Sequence, residues 1–337
     1  MRLSFNQFSG EIPSSISNLT KLQMLRIRGN YLVGEIPREL GHLGGMTLLD
    51  LQNNRLIGSI PPSIFNITTM QKLALTNNSL TGTLPITICD HLPNLEGLYL
   101  SGNNLDGVIP PTLEKCRKLQ FMLLSVNQFI GTLPRELANL TALTVLDLRD
   151  LHLKGSMIFP YKESEIFFPL SLSLSLSRKS VLIYFPHMTG EIPAELGNLR
   201  KLKALSLYNN VFTGPVPDSI FNMSELQIIG LGENRFSGTL TSDLGRRLPN
   251  LEKFSCSGNR LSGFISSSIS NSSRLTGLDI SWNSFTDPIP ESLGNLEYLE
   301  ILHLGSNNFF SDSALSFLTS LTNCRKLRVV KFVLGSK

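Results

Sequence analysis

"NYLVGEIPRELGHL" occupies residues 30–43, and variants of it return as "NRLIGSIPPSIFNI" at 54–67, "NSLTGTLPITICDHL" at 78–92 and "NVFTGPVPDSIFNM" at 210–223. The glycine of each phrase marks a period. It falls at Gly10, Gly34, Gly58, Gly82, Gly107, Gly131, Gly155, Gly190, Gly214, Gly238 and Gly263, with Asp287 in the next slot. The intervals are 24 or 25 residues, except for one of 35 between Gly155 and Gly190. Aligned, the copies read LxxLxLxxNxLxGxIPxxLGNL. A period of this length repeated this often decides the architecture before any local argument does.

Each position has a physical task. In LxLxxN the leucines alternate, so one side of a short strand points inward, as with Leu73 and Leu75 or Leu205 and Leu207. One repeat cannot bury that side alone; stacked repeats bury a continuous column. Parallel strands about 4.8 Å apart then build a curved sheet, and thirteen of them an arc of about 60 Å. The asparagines (Asn6, Asn30, Asn54, Asn78, Asn103, Asn127, Asn210, Asn234, Asn259, Asn283, Asn307) stand where the strand turns away. Their amides can satisfy backbone groups that would otherwise be buried unpaired, so they are expected to form an interior ladder. The glycine suits a turn with a φ closed to other residues, and Ile-Pro after it favours extended chain. The pattern is that of a leucine-rich repeat: an α/β repeat solenoid, with a parallel sheet on the concave face.

The bulk numbers exclude several classes. Charged residues make up 17% of the 337, net charge is +4, and no Lys/Arg block suggests nucleic acid. Four cysteines are too few for a disulfide scaffold. No metal-ligand spacing links His42, His91, His152, His187 and His303, and no nucleophile motif or phosphate loop occurs, so neither cofactor nor catalysis is expected. No apolar run is long enough to span a membrane, and "MRLSFNQFSGEIP" carries no signal-peptide core.

The LxGxIP step at a 24-residue period resembles the plant class of leucine-rich repeats. That resemblance implies a second short strand per repeat, 3-10 turns and loops elsewhere, and a right-handed superhelical twist. "LPNLEGLYLSGNNLDGVIP", "ISNSSRLTGLDISWNSFTDPIPESLGNLEYLEIL" and "ALSFLTSLTNCRKLRVV" are similar to ectodomains of plant receptor-like kinases, in the subfamily that senses bacterial flagellin and elongation factor Tu. The resemblance covers roughly residues 1–157 and 188–332. It implies an extracellular peptide-sensing module at the plasma membrane, acting in signalling or defence, with a smaller leucine-rich-repeat co-receptor as second partner. Its alternatives are a soluble inhibitor of a pathogen's wall-degrading enzyme, a kinase-less receptor-like protein, and a non-functional fragment. Without a signal peptide, caps, membrane helix or kinase motifs, the chain reads as an internal piece or truncated gene model. A block at 64–103 recurs at 220–259, a tandem duplication offset by 156 residues.

One stretch breaks the period. "FFPLSLSLSLSRKSVLIYFP", residues 167–186, alternates Leu and Ser and then runs apolar. The chain therefore divides into about seven repeats at 1–157, an anomalous low-complexity insert or degenerate repeat at 158–187, and about six repeats plus a truncated one at 188–337. Leu146, Leu148, Leu153 and Gly155 hold register, with Leu151 in the Asn slot, and "VLIYFPHM" could mimic a further strand with Val181 and Ile183 inward. Pro186 would then occupy the Asn slot, which needs an amide it lacks. Three readings stand: a degenerate repeat, a functional insertion folding over the concave face, and sequence not selected for folding, such as translated intron. The last is favoured, because nothing replaces the lost ladder residue.

Ligand-binding candidates are the outward positions of the concave strands: Arg26, Arg28, Tyr99, Asp147, Arg149, Asp150, Tyr208, Arg260, Asp279, Trp282 and His303. Rings and charges together suit an extended peptide or protein segment. Ordinary solvation competes for each of them; Trp282 is the strongest, since an exposed indole calls for a partner. Six sequons occur, at Asn18, Asn66, Asn77, Asn139, Asn222 and Asn271, and all but Asn77 lie eight residues after a marker glycine. Glycans there would leave the concave face free. Cys116, Cys256 and Cys324 read as small buried hydrophobes; a Cys89–Cys116 bond is weighed and set aside.

Overall fold

The computed structural model describes residues 1–149, 187–310 and 316–332. Each repeat forms one coil, and the coils stack. Their inner strands join a parallel 12-stranded sheet running from Met24–Arg26 to Val329–Lys331. Arg2 adds an isolated bridge to Arg26 before the first strand. Strands are three residues long and in strict register, Leu25 opposite Leu49 and Leu49 opposite Leu73. Second strands follow in many coils; the longest run of them is a 6-stranded sheet from Gly131–Thr132 to Ser284–Phe285. The outer side carries 3-10 turns such as Arg38–His42 and Ala194–Asn198, each opened by the proline of the Ile-Pro step. Proline suits that place because its fixed φ begins the turn and its missing N–H is not needed there.

A single apolar column fills the interior, from Ile12 to Cys324. Where the inward residue after the ladder Asn is Phe, neighbouring rings stack: Phe212 on Phe236 with centroids 6.2 Å apart, Phe285 on Phe309 at 6.4 Å. The asparagines close the gap between coils. Asn234 Nδ2 donates to the carbonyls of Leu231 (3.1 Å) and Gly232 (3.0 Å) in its own coil, and of Leu207 (2.9 Å) in the previous one. Its Oδ1 accepts the N–H of Phe212 at 3.1 Å. The same arrangement recurs at Asn30, Asn54, Asn103, Asn127, Asn259, Asn283 and Asn307. Asn78 likewise spans to Leu51 and accepts from Leu56.

Two slots take a left-handed backbone. The marker glycines among the described residues hold φ between +73 and +87, and Asp287 takes the same turn at +65. The residue just before each ladder Asn is the second slot: Asn53, Asn77 and Asn209 fill it, but so do Val126 (φ +55), Glu233 (+53) and Trp282 (+55). Asparagine tolerates this region; β-branched and bulky side chains pay for it with strain.

The break in the period resolves into one coil. Val145–Asp147 pairs on one side with Phe121–Leu123 and on the other directly with Ala204–Ser206. Gly131–Thr132 likewise pairs directly with Met188–Thr189. These neighbours are paired directly, so Gly131 and Gly190 mark successive coils of the stack. Residues 143–149 begin a coil that 187–199 completes. Asn210 shows the join: Nδ2 donates back to Leu148 at 3.1 Å, 62 residues away, and Oδ1 accepts from Met188 at 3.1 Å. Gly131 and Gly190 are 59 residues apart in sequence, one period of 24 and a further 35. Among the described residues the inner sheet is twelve strands and a bridge. Leu151, Leu153, Gly155, Val181, Ile183 and Pro186 lie outside the described residues.

Cys89 and Cys116 form a disulfide, which corrects the expectation that Cys116 is an unpaired buried hydrophobe. The two stand on the outer side of neighbouring coils, their Cα atoms 5.3 Å apart, within bonding reach. Cys256 and Cys324 are free and buried.

Two outcomes check this account. Asn234→Ala should lower stability by about 2–4 kcal/mol in denaturant melts, because it strands the Phe212 N–H and the carbonyls it joined. A loss below about 0.5 kcal/mol would mean that the ladder does not hold the coils. Deleting residues 151–185 restores a 24-residue spacing, and should leave a cooperative melt within about 5 °C of the parent or above it. Failure of that variant to fold would place needed structure in the deleted stretch.

Candidate functional site

Side chains at the outward positions of the inner strands share one concave surface, and its character changes along the stack. Over the first coils it encloses a hollow of about 740 Å³. Arg2, Arg26, Arg28 and Lys72 line it, with Asp50 as the one carboxylate. Asp50 stands opposite Arg26 in register, yet its carboxylate accepts instead from the Gln52 amide at 3.1 Å. The Nε–H groups of Arg26 and Arg28 are buried and have no hydrogen-bond partner among the described residues. Arg28 is steadied by the Phe5 ring, whose centroid lies 5.0 Å below its guanidinium.

The far wall of the hollow, formed by Tyr99, Phe121, Leu123 and Val145, is largely apolar. Leu123 and Val145 continue beyond it into Ala204 and Ile228 as a cluster separate from the interior core, with Tyr99 and Phe121 packed against it. Phe121, Val145, Ala204 and Ile228 are register partners, so they run straight across four neighbouring strands. Tyr99 stacks on Phe121 with ring centroids 6.0 Å apart. Gly97 makes this possible: a Cβ there would lie 2.3 Å from Tyr99 Cε2, so only a bare backbone lets the ring lie down on the sheet.

The later coils are polar and internally paired. Arg149 Nη2 meets Asp147 Oδ2 at 3.2 Å, and His303 Nδ1 lies 3.5 Å from Asp279 Oδ2. Asp279 also accepts the Ser281 hydroxyl at 2.6 Å. Asp147, Asp279 and His303 are all buried between strands rather than open to a ligand. Burial pushes the Tyr208 phenol up to about 12, helped by the charges of Glu233 and Asp279. Burial, then Asp279, raises the Glu233 carboxyl above its ordinary 4.5.

The expected site residues therefore separate. Arg26, Arg28 and Tyr99 meet in the hollow. Asp147, Arg149, Tyr208, Asp279 and His303 lie further along the concave face. Arg260 does not belong there: it opens the second strand Arg260–Gly263, past the turn. Trp282 is 61% exposed but stands in the left-handed turn beyond the strand Gly277–Asp279, on the rim. Asp150 lies outside the described residues. Phe121, Leu123, Val145 and Lys72 were not among the expected residues, although their outward strand positions were legible. The sequon asparagines are all exposed. Asn18, Asn66, Asn139, Asn222 and Asn271 each end a 3-10 turn on the outer side, whereas Asn77 sits in a left-handed turn beside the ladder.

Leucine-rich-repeat family models match residues 45–105 and 68–129, and also 1–19, 21–43, 201–223, 250–272 and 274–296, together more than half of the chain. The chain is a leucine-rich-repeat protein. No curated protein sequence matches it. Among solved structures, this leucine-rich-repeat chain is similar to the TDR receptor, with 27% identity and a TM-score of 0.80 over 98% of this chain and 50% of that one. The plant peptide hormone receptor RGFR1 in complex with RGF2 matches with 28% identity and a TM-score of 0.78, over 96% and 53%. PEPR1 with AtPEP1 matches with 28% identity and a TM-score of 0.74, over 99% and 44%. The chain thus spans about half the length of these neighbours.

Glu233 supplies a pH test. Its proton is held more tightly in the folded chain than in the unfolded one. From about pH 4.5 upward to its raised value the native state carries the extra proton, so its contribution to stability falls as pH rises through that window. Glu233→Gln removes this dependence. The melting temperature of the variant should therefore gain on the parent between about pH 4 and about pH 7. A difference that stays constant, or favours the parent more at neutral pH, would contradict the assignment.

Proposed function

We propose that this chain is the ligand-recognition part of a plant receptor kinase's extracellular domain, taking a peptide along its concave face. The observation that carries the reading is the hollow over the first coils, where unpaired guanidinium groups adjoin an apolar wall that the interior core does not need. Extended peptides fit such a surface: main chain runs across the strands while side chains meet successive coils. The structural neighbours support it, since RGFR1 and PEPR1 were solved with RGF2 and AtPEP1. The Cys89–Cys116 disulfide favours an oxidising compartment, as at the outside of the plasma membrane. The role is binding without catalysis; signalling, in defence or development, belongs to a kinase elsewhere in the full protein. A smaller leucine-rich-repeat co-receptor is the second partner, joined once peptide is held. Glycans on the outer 3-10 turns leave the concave face clear.

The test is selection of phage-displayed random dodecapeptides on the purified chain. Binders are expected, and Val145→Glu in the apolar row should weaken them at least about tenfold, whereas Glu39→Lys on the outer side should not. Enrichment indifferent to Val145→Glu, or no enrichment at all, would end the reading.

A further inference from the structure

Two coils place an aromatic ring in the same rim slot, and they differ in what stands beside it. Phe5 and Trp282 each fill the left-handed position just before a ladder asparagine, at φ +56 and +55. The Phe5 N–H donates to the Arg28 carbonyl of the next coil at 2.8 Å, and the Trp282 N–H donates to the Gly305 carbonyl at 2.9 Å, so Arg28 and Gly305 are equivalent positions. In the first coils the Phe5 ring lies over Gly29, and the Arg28 guanidinium stands 5.0 Å from its centroid. In the later coils Gly305 takes the place of Arg28 and brings no cation. Two further exposed rings are covered as Phe5 is, Tyr31 by Arg55 at 5.0 Å and Tyr298 by Lys326 at 4.3 Å. The Trp282 indole, the best cation–π acceptor among side chains, is 61% exposed and meets neither ring nor cation among the described residues. We propose that Trp282 and Glu233 form a rim site for a lysine or arginine side chain of a bound polypeptide, which takes the place over the indole that Arg28 takes over Phe5.

Glu233 supplies the countercharge. It fills the same left-handed slot two coils before Trp282, and its carboxylate overhangs Gly258, which holds the slot between them. Any side chain at Gly258 would occupy that space; glycine leaves it open. Neighbouring coils stand about 4.8 Å apart, so carboxylate and indole border one gap. The carboxylate makes no hydrogen bond or ion pair among the described residues, and neither Arg235 nor Arg260, the cations that follow on this rim, pairs with it. Burial and then the charge of Asp279 hold its proton above the ordinary range, and burial with the charges of Glu233 and Asp279 pushes the Tyr208 phenol up to about 12. Asp279 itself is engaged by the Ser281 hydroxyl and by His303. The negative charge left over is that of Glu233. A guanidinium or ammonium meets both needs at once, lying against the indole and donating to the carboxylate. A neutral or acidic side chain meets neither.

Trp282 is the single tryptophan of the chain, so its emission reports this site directly. The purified chain is titrated with acetyl-Gly-Arg-Gly-amide, whose blocked ends carry no carboxylate, and with the same peptide bearing citrulline, which is neutral at nearly the same shape. The arginine peptide should change the emission saturably, and the citrulline peptide should bind at least about fivefold more weakly. That comparison uses the unaltered protein and does not depend on a variant folding. Glu233→Gln should weaken the arginine peptide at least about threefold. Gly305→Arg restores the internal cation of the first coils and should abolish the response; circular dichroism checks that both variants fold. No saturable change, an equal response to citrulline, or binding that survives both substitutions overturns the inference. None of these outcomes bears on the peptide-binding reading above, whose apolar row around Val145 plays no part here.

Discussion

A buried amide shared between consecutive coils is the interaction on which the rest depends. A stack of identical turns has a weakness that an ordinary globule lacks: at each bend the backbone leaves the sheet while still inside the molecule, and water cannot reach its polar groups. One asparagine per coil meets that need in both directions, donating to its own coil and the previous one and accepting from the previous coil's second strand. Register, curvature and the common orientation of outward side chains all follow from that repeated bond. The concave surface is coherent because the interior is.

Much of this was legible in one dimension. The leucine alternation, the amide position and the glycine turn each require one residue type, so their recurrence exposes them. The broken coil was harder. "VLIYFPHM" has the inward spacing of a strand, and phase alone left room for an extra coil between Gly155 and Gly190. Only the direct pairing of Val145–Asp147 with Ala204–Ser206 shows that none is inserted there. The Cys89–Cys116 bond was hidden because Cys116 also fits an inward hydrophobic slot, and sequence does not say which role a thiol takes.

The site was legible as columns and not as contacts. Outward strand positions could be named, but the burial of Asp147, Asp279 and His303 comes from partners on the same or adjacent strands. Trp282 and Arg260 were displaced because the strand is only three residues long, and the chain has already turned by the time it reaches them. The apolar row from Phe121 to Ile228 went unnoticed since each member alone resembles a core residue; what distinguishes it is facing the other way on four strands in succession.

The join at Asn210 has a wider meaning. Cohesion in this molecule is passed from neighbour to neighbour across space, and chain continuity is almost incidental to it. Leu148 and Met188 need only stand beside the same amide; how many residues separate them along the chain does not enter the bond. A solenoid of this kind can therefore keep its stack across a chain interval much longer than its period.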